Sequence, residues 1–292
     1  MGNGMIGMLL VAGSLTAHQL EVMLVKRYGK KYGKGGMFFN AIICLFAMIY
    51  FFITDTGGLV FAKGIWGYGI VNSLMYATGF YAAYVAFKIG SFGLTRLFTS
   101  FGVIISTFYG IIFLNEPTSL LTYISLAMIL VSLALMNYSK SEGTRQKITL
   151  KWVIYVLLII ISNAAIAIIG RMQHGVYGDV YKNEFLIISL AGAAISLFAL
   201  GAVFERDSFK ETLRHGIIYG ASAGVCNGIN NLFVLITYNY LPISFTSPLK
   251  SGLGIVISFV VSIALYKEKF GRHQVAGVII GALAVVLMNI KI

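Results

Sequence analysis

Two basic residues stand at the front edges of apolar runs. Lys250 stands at the front edge of the run 252–266, and Arg96 lies near the start of the run 92–114. A charge inside bilayer hydrocarbon costs about 2.5–3.5 kcal/mol on insertion scales, so it is seldom kept there without a use. Facing a cavity, these cations would bind a carboxylate or a phosphate group. The alternative is that both extend from helix ends to the lipid headgroups.

His18 and Glu21 form a second candidate group. Their three-residue spacing places them on one face of a helix. A histidine beside a carboxylate exchanges protons near neutral pH, which predicts an ion-coupling role for the pair. The alternative is structural, with Glu21 paired to Lys26 and His18 a packing residue.

Amide and phenol side chains form the third group. Asn227, Asn230 and Asn231 fall within one helical turn. Buried amides need partners in lipid, so this face must meet another helix or water. We predict that the amides line a substrate site, although hydrogen bonds between helices would also explain them. Polar residues of other runs belong to the same predicted lining: Asn72, Tyr76 and Asn163.

The sequence carries no enzyme signature. It has no Walker-type loop, catalytic triad, HExxH motif or metal-ligand spacing. Cys44 and Cys226 lie inside apolar runs, where they are expected to pack rather than form a disulfide. We therefore predict no enzymatic activity, no cofactor and no metal.

The composition identifies the environment of these groups. Of 292 residues, 58% are hydrophobic and 11% are charged, against about 25% charged in soluble chains. The net charge of +12 does not indicate nucleic acid, because the basic residues lie between apolar runs. The first run lacks a basic segment before it and a small-residue cleavage site after it, so we expect a retained helix.

Ten runs are long enough to cross a bilayer as helices, since isolated strands are untenable in lipid. The sequence thus predicts an all-α membrane protein with ten transmembrane helices. The predicted spans are 4–25, 37–54, 64–86, 92–114, 119–137, 152–170, 184–204, 215–236, 243–266 and 273–291.

The two halves of the chain repeat each other. An offset of 152 residues aligns nine identical residues without a gap, including Glu116 with Glu268 and the Leu-Met-Asn at 135–137 with that at 287–289. We predict repeats at 1–138 and 152–292, joined by a cytoplasmic connector at 139–151. Five spans per half is odd, so the two repeats must be inverted. The shared glutamates are predicted to be structural, at helix N termini.

The distribution of Lys and Arg predicts the orientation. The turns after the odd-numbered spans hold 16 of the 22 basic residues, and the turns and terminus on the other side hold four. The positive-inside rule places the 16 in the cytoplasm and both chain termini outside. The predicted location is the plasma (inner) membrane.

The sequence SGLGIVISFVVSIALYKEKFGRHQVAGVIIGALAVVLMNI resembles the end of small multidrug resistance proteins. Ala17-His18 and Leu24-Val25-Lys26 resemble the first helix of that family, whose ion-coupling glutamate would fall on His18. The whole chain is similar to the drug/metabolite transporter superfamily, EamA-like branch. This resemblance implies spans 1–4 and 6–9 around a central cavity, with spans 5 and 10 peripheral.

These observations predict a secondary active transporter working by alternating access. The candidate cations favour a small polar substrate with an anionic group, such as an amino acid, organic acid or phosphorylated metabolite. A transporter or exporter of neutral or cationic compounds is the first alternative, and a non-transporting receptor or scaffold is the second. The expected partners are the substrate, the bilayer and a coupling proton, with the chain a monomer or homodimer.

Overall fold

The computed structural model describes residues 2–33, 36–89, 95, 101–137, 149–266 and 271–288. Within these ranges the chain is helical and has no strand. The helices are α1 (Gly2–Tyr32), α2 (Gly36–Thr54), α3 (Lys63–Ile89), α4 (Gly102–Phe113), α5 (Leu120–Asn137), α6 (Leu150–Tyr177), α7 (Lys182–Phe204), α8 (Phe209–Thr237), α9 (Ile243–Tyr266) and α10 (Arg272–Met288).

The ten described helices confirm the predicted all-α membrane fold, with differences at several ends. By length and composition, α1, α2, α6 and α7 are suited to spanning a bilayer, while α4, α5 and α10 are shorter apolar helices. Helices α1 and α6 each run seven residues beyond the predicted spans. Because backbone hydrogen bonding does not stop at the hydrocarbon edge, hydropathy marks the apolar part of a helix rather than its full length.

Contacts divide the chain into two units, each built from two separate segments. The first unit comprises Met1–Tyr84 and Ala165–Tyr240, and the second comprises Val85–Ala164 and Leu241–Ile292. Each unit therefore contains helices from both predicted repeats. The repeat boundaries at 138 and 152 follow the sequence alignment and stay a prediction.

In the first unit, α2 and α7 hold each other at both ends. The backbone N–H of Met37, at the start of α2, donates to Glu205 Oε2 just after α7, at 2.8 Å. Just after α2, Asp55 Oδ1 accepts from Asn183 Nδ2 at the start of α7, at 2.7 Å. The two helices are therefore antiparallel. This is the relation that inverted repeats require of spans 2 and 7.

A row of glycines brings α8 against α2. Four glycines recur every fourth residue of α8, so they share one face of the helix. A Cβ on Gly224 would lie 2.7 Å from the carbonyl oxygen of Ile43, and one on Gly228 would lie 2.7 Å from the Tyr50 ring. Only glycine permits this approach, which fixes the position of the polar residues on α8. The glycines are Gly216, Gly220, Gly224 and Gly228.

The second unit contains α5 packed against α10. Ser132 Oγ donates to the carbonyl oxygen of Gly277, at 2.5 Å, and Ile129 and Leu133 pack with Val278 and Ala284. Helix α9 begins directly after Pro242, which suits a helix start because its missing N–H is not needed there.

Candidate functional site

A chain of polar side chains joins α1, α8 and α3 inside the first unit. His18 Nδ1 lies 3.4 Å from Glu21 Oε2, and Asn227 Nδ2 donates to Glu21 Oε1 at 3.0 Å. Asn231 Nδ2 donates to Asn227 Oδ1 at 2.8 Å. The Tyr76 hydroxyl donates to Asn231 Oδ1 at 3.3 Å. We call these five residues the polar chain.

Helix geometry sets the spacing of the polar chain. His18 and Glu21 are one turn apart on α1, and Asn227 and Asn231 are one turn apart on α8. The Glu21 side chain is 14% exposed and the His18 side chain is 48% exposed. The pair therefore has an open histidine end and a more enclosed carboxylate end. The structure joins these five predicted site residues by side-chain contacts.

The hydrogen-bond partners of Glu21 are side chains, which can rotate away and bond to another group instead. A carboxylate accepts hydrogen bonds when ionised and donates one when protonated. Protonation of Glu21 would therefore weaken the bond from Asn227 and free its amide for another acceptor. The same site could instead place the carboxylate opposite a cationic group of a ligand.

Asn72 has a different place from the one predicted. It is 2% exposed, and its Nδ2 donates to Ser189 Oγ on α7 at 3.1 Å. Ser189 Oγ in turn donates to the carbonyl oxygen of Phe185 at 2.7 Å. One turn further along α7, a Cβ on Gly192 would meet Ser73 at 2.5 Å. Asn72 thus ties α3 to α7 and is not bonded to the polar chain.

Four predicted site residues remain: Asn230, Lys250, Asn163 and Arg96. Asn230 is half-buried on α8. Lys250 is half-buried on α9, two residues after Pro248, and Asn163 is exposed on α6 with its Cβ facing Gly102; both belong to the second unit. Arg96 lies outside the described residues.

Glu116 satisfies the start of another helix in the second unit. Its carboxylate accepts the backbone N–H groups of Ile243 and Ser244, at 3.1 and 2.8 Å, and the residue is 8% exposed. The predicted role at a helix N terminus is consistent with this geometry, but the helix is α9 rather than the one that follows Glu116. Its repeat partner, Glu268, lies outside the described residues.

Sequence reasoning missed an acidic cavity at one end of the first unit. The cavity has a volume of about 570 Å³ and is lined by the loop after α2, the start of α7 and the last turns of α8. Glu184 Oε1 accepts from the Val60 N–H at 2.8 Å, and Asp55 Oδ2 accepts from the Gly58 N–H at 2.9 Å. Asp55 lies in the loop after α2 and Glu184 in the first turn of α7, far apart in the chain, and no local motif brings them together.

Within the described residues there is no cluster of three or more His, Cys, Asp or Glu side chains suited to a metal ion. Cys44 is buried and unpaired, and Cys226 is half-buried and unpaired.

Comparisons with known proteins bear on the family and the fold. The sequence profile of the EamA-like transporter family matches residues 150–290. A solved structure titled only as the crystal structure of a protein superposes with a TM-score of 0.79, covering 97% of this chain and 96% of that chain at 12% identity. No curated protein matches the sequence. The structural likeness establishes the fold alone.

Proposed function

We propose that the chain is a multi-pass membrane transporter of the drug/metabolite type that carries a small polar metabolite by alternating access. The match of residues 150–290 to the EamA-like transporter family supports this proposal. The observation that carries this proposal is the polar chain in the first unit. A carboxylate, two amides and a phenol joined across three helices offer donors and acceptors in an otherwise apolar bundle.

Substrate binding would replace side-chain bonds with bonds to the ligand. Hydrogen bonds between transmembrane helices contribute about 0.6–2 kcal/mol each, so ligand groups of equal quality exchange with them at little cost. Asn227 and Asn231 each use both amide atoms in the polar chain, but an amide nitrogen has a second N–H and an amide oxygen a second lone pair that a ligand could use. The coupling ion in this proposal is a proton, carried by Glu21 with His18 on its more exposed side.

An anionic group on the substrate is proposed from Lys250. Lys250 is half-buried on α9, and a lysine in a membrane-spanning helix can bind a carboxylate or phosphate group of a ligand. Arg96, Asn163 and Asn230 stay proposed contributors to binding. Amino acids, organic acids and phosphorylated metabolites all carry the required group.

A second candidate substrate is a neutral or cationic compound. It is favoured by the carboxylate of Glu21, which lies in the same polar chain as the ring of Tyr76. A carboxylate and an aromatic face together suit an ammonium group.

A thermal-shift panel tests the substrate class. Purified protein would be heated with anionic, zwitterionic, neutral and cationic metabolites, as wild type, Lys250→Gln and Glu21→Gln. A ligand of the folded state raises the melting temperature by mass action. Stabilisation of wild type but not Lys250→Gln by an anionic compound supports the anionic substrate. If cations alone stabilise the wild type, and this effect is lost in Glu21→Gln but kept in Lys250→Gln, the anionic substrate is overturned in favour of the second candidate.

A flux measurement tests transport itself. The compound that stabilises the protein would be offered to proteoliposomes with and without an inward proton gradient. Accumulation that follows the gradient supports proton-coupled transport. The proposed location remains the plasma membrane, with both termini outside the cytoplasm. Binding without any flux would contradict the proposal and indicate a receptor. Ten helices in one chain suffice for this activity as a monomer, and a homodimer is compatible with it.

A further inference from the structure

An apolar groove runs along the outer face of the first unit and ends at two cations. The groove has a volume of about 480 Å³ and lies between α2, α7 and α8. Its lining consists of Phe38, Ala41, Ile42, Leu45, Ala194, Ile195, Phe198, Ala199, Phe209, Thr212 and Leu213. A second cavity shares Phe38, Phe198 and Phe209 with the groove and adds Arg206 and Lys210. The two cavities are adjacent because they share these three rings.

The groove is open to the membrane. Ile195 is 71% exposed, Phe198 49%, Leu213 46% and Leu45 41%. On α2 its lining runs from Phe38 to Leu45, a length of about 10 Å along the helix. A groove of this length holds part of an acyl chain lying parallel to the helices.

Three aromatic rings mark the boundary between the apolar and the charged part. The ring centroids of Phe38 and Phe198 are 5.4 Å apart, those of Phe38 and Phe209 are 5.1 Å apart, and those of Phe198 and Phe209 are 5.6 Å apart. Aromatic side chains favour the level between acyl chains and headgroups.

The charged end suits an anionic headgroup. Arg206 and Lys210 are exposed on either side of Phe209, the first residue of α8, and Asp207 is the one acid lining this cavity. Surface cations next to a membrane attract anionic lipids, and phosphate oxygens also bind well at the N terminus of a helix. Ser208 makes no side-chain capping hydrogen bond there.

From these contacts we propose that the α2–α7–α8 groove is a binding site for one anionic phospholipid. An acyl chain lies in the groove, and the phosphate lies at Arg206 and Lys210. The lipid covers the packing of α2 against α7 and α8 and stabilises the first unit. This site is separate from the polar chain and does not depend on the proposed transport function.

The experiment compares lipids with one chain composition and two headgroups. Delipidated protein in detergent would be titrated with phosphatidylglycerol or phosphatidylcholine, with the melting temperature and native mass spectra as readouts. Phosphatidylglycerol is expected to raise the melting temperature more and to remain bound at one copy. Equal stabilisation by both lipids would overturn the proposal. So would equal stabilisation by water-soluble glycerol phosphate, which would indicate a phosphate site without a lipid.

Matched variants test the two parts of the site. R206Q/K210Q is expected to bind phosphatidylglycerol about 30-fold more weakly, since each surface cation contributes roughly fivefold toward an anionic lipid. K30Q, which removes an exposed cation of α1, leaves that affinity unchanged. Ala199→Phe fills the groove and weakens binding, whereas Val203→Phe, on α7 outside the groove, does not. Wild-type affinity in R206Q/K210Q or in Ala199→Phe would contradict the corresponding part.

Discussion

Glu21 and Glu116 are both enclosed carboxylates, but their partners differ in kind. Glu116, in the second unit, accepts two backbone N–H groups at the start of α9. Glu21, in the first unit, is bonded by the side chains of Asn227 and His18. Backbone donors stay in place as long as the helix exists, whereas side-chain donors can rotate to a ligand. The comparison separates an acid that holds the fold from an acid that can take part in transport.

The largest expected effect is on stability, from Glu116→Ala. The substitution leaves the N–H groups of Ile243 and Ser244 without an acceptor at a buried helix start. We expect the free energy of unfolding to fall by about 3 kcal/mol, because hydrogen bonds to charged groups contribute about 1.5–3 kcal/mol each. Denaturant unfolding in detergent measures the change. Thr118→Ala, on the exposed loop two residues away, is the control, and equal losses would show that Glu116 is not a cap.

A smaller loss of stability is expected where α8 meets α2. In Gly224→Ala the new methyl group would lie 2.7 Å from the Ile43 carbonyl oxygen and 3.0 Å from the Ala47 nitrogen, so the helices must separate. We expect a loss of about 1–3 kcal/mol. Gly29→Ala on α1 has no atom within 4 Å of the added carbon and should gain up to about 1 kcal/mol. The same sign for both variants would refute the close packing.

These two sites show what the sequence could and could not predict. The apolar runs predicted most of the described helices, because hydrophobic length dominates folding in lipid. The span 92–114 was wrong as one continuous helix, since Phe101 is in a turn and α4 begins at Gly102. The sequence predicts Glu116 at the start of the helix that follows it, whereas its carboxylate accepts from the start of α9. Its target, α9, lies more than 120 residues away along the chain, and no local pattern encodes that pairing. The glycines of α8 stand at four-residue spacing in the sequence, but that spacing does not show that they pack against α2.

The candidate site shows the same limit. The spacing within α1 and within α8 predicted which residues share a face, and those pairs do contact each other. Hydropathy does not say which helices are neighbours, so the link from Asn227 to Glu21 required the structure. Asn72 is also an amide predicted to line the site, but its side chain bonds to Ser189 and holds α3 and α7 together.

On transport, Glu21→Gln is expected to reduce the rate at least about tenfold, because the substitution removes the proton-binding group. The amide can still accept from Asn227, so the free energy of unfolding should change by less than about 1 kcal/mol. Flux into proteoliposomes and unfolding in detergent measure the two quantities. Asn40→Ala, which removes a half-buried amide bonded to its own helix, is the control for reconstitution. Wild-type flux in Glu21→Gln would remove this residue from the mechanism.

The smallest expected effect comes from His18→Gln. The side chain is nearly half exposed, so its loss should reduce flux only about threefold and leave stability unchanged. Uptake into proteoliposomes, compared with wild type, checks this. A loss of flux as large as that in Glu21→Gln would contradict the lesser role of His18.

The most direct test measures flux and folding together in Glu21→Gln and Glu116→Gln. The substrate is the compound found by the thermal-shift panel, and uptake is expressed per folded molecule. We expect Glu21→Gln to be as stable as wild type and to transport at a tenth of its rate or less. We expect Glu116→Gln to be less stable but to transport normally per folded molecule. The opposite result, with an active Glu21→Gln and a folded but inactive Glu116→Gln, would contradict the division of roles between the two carboxylates.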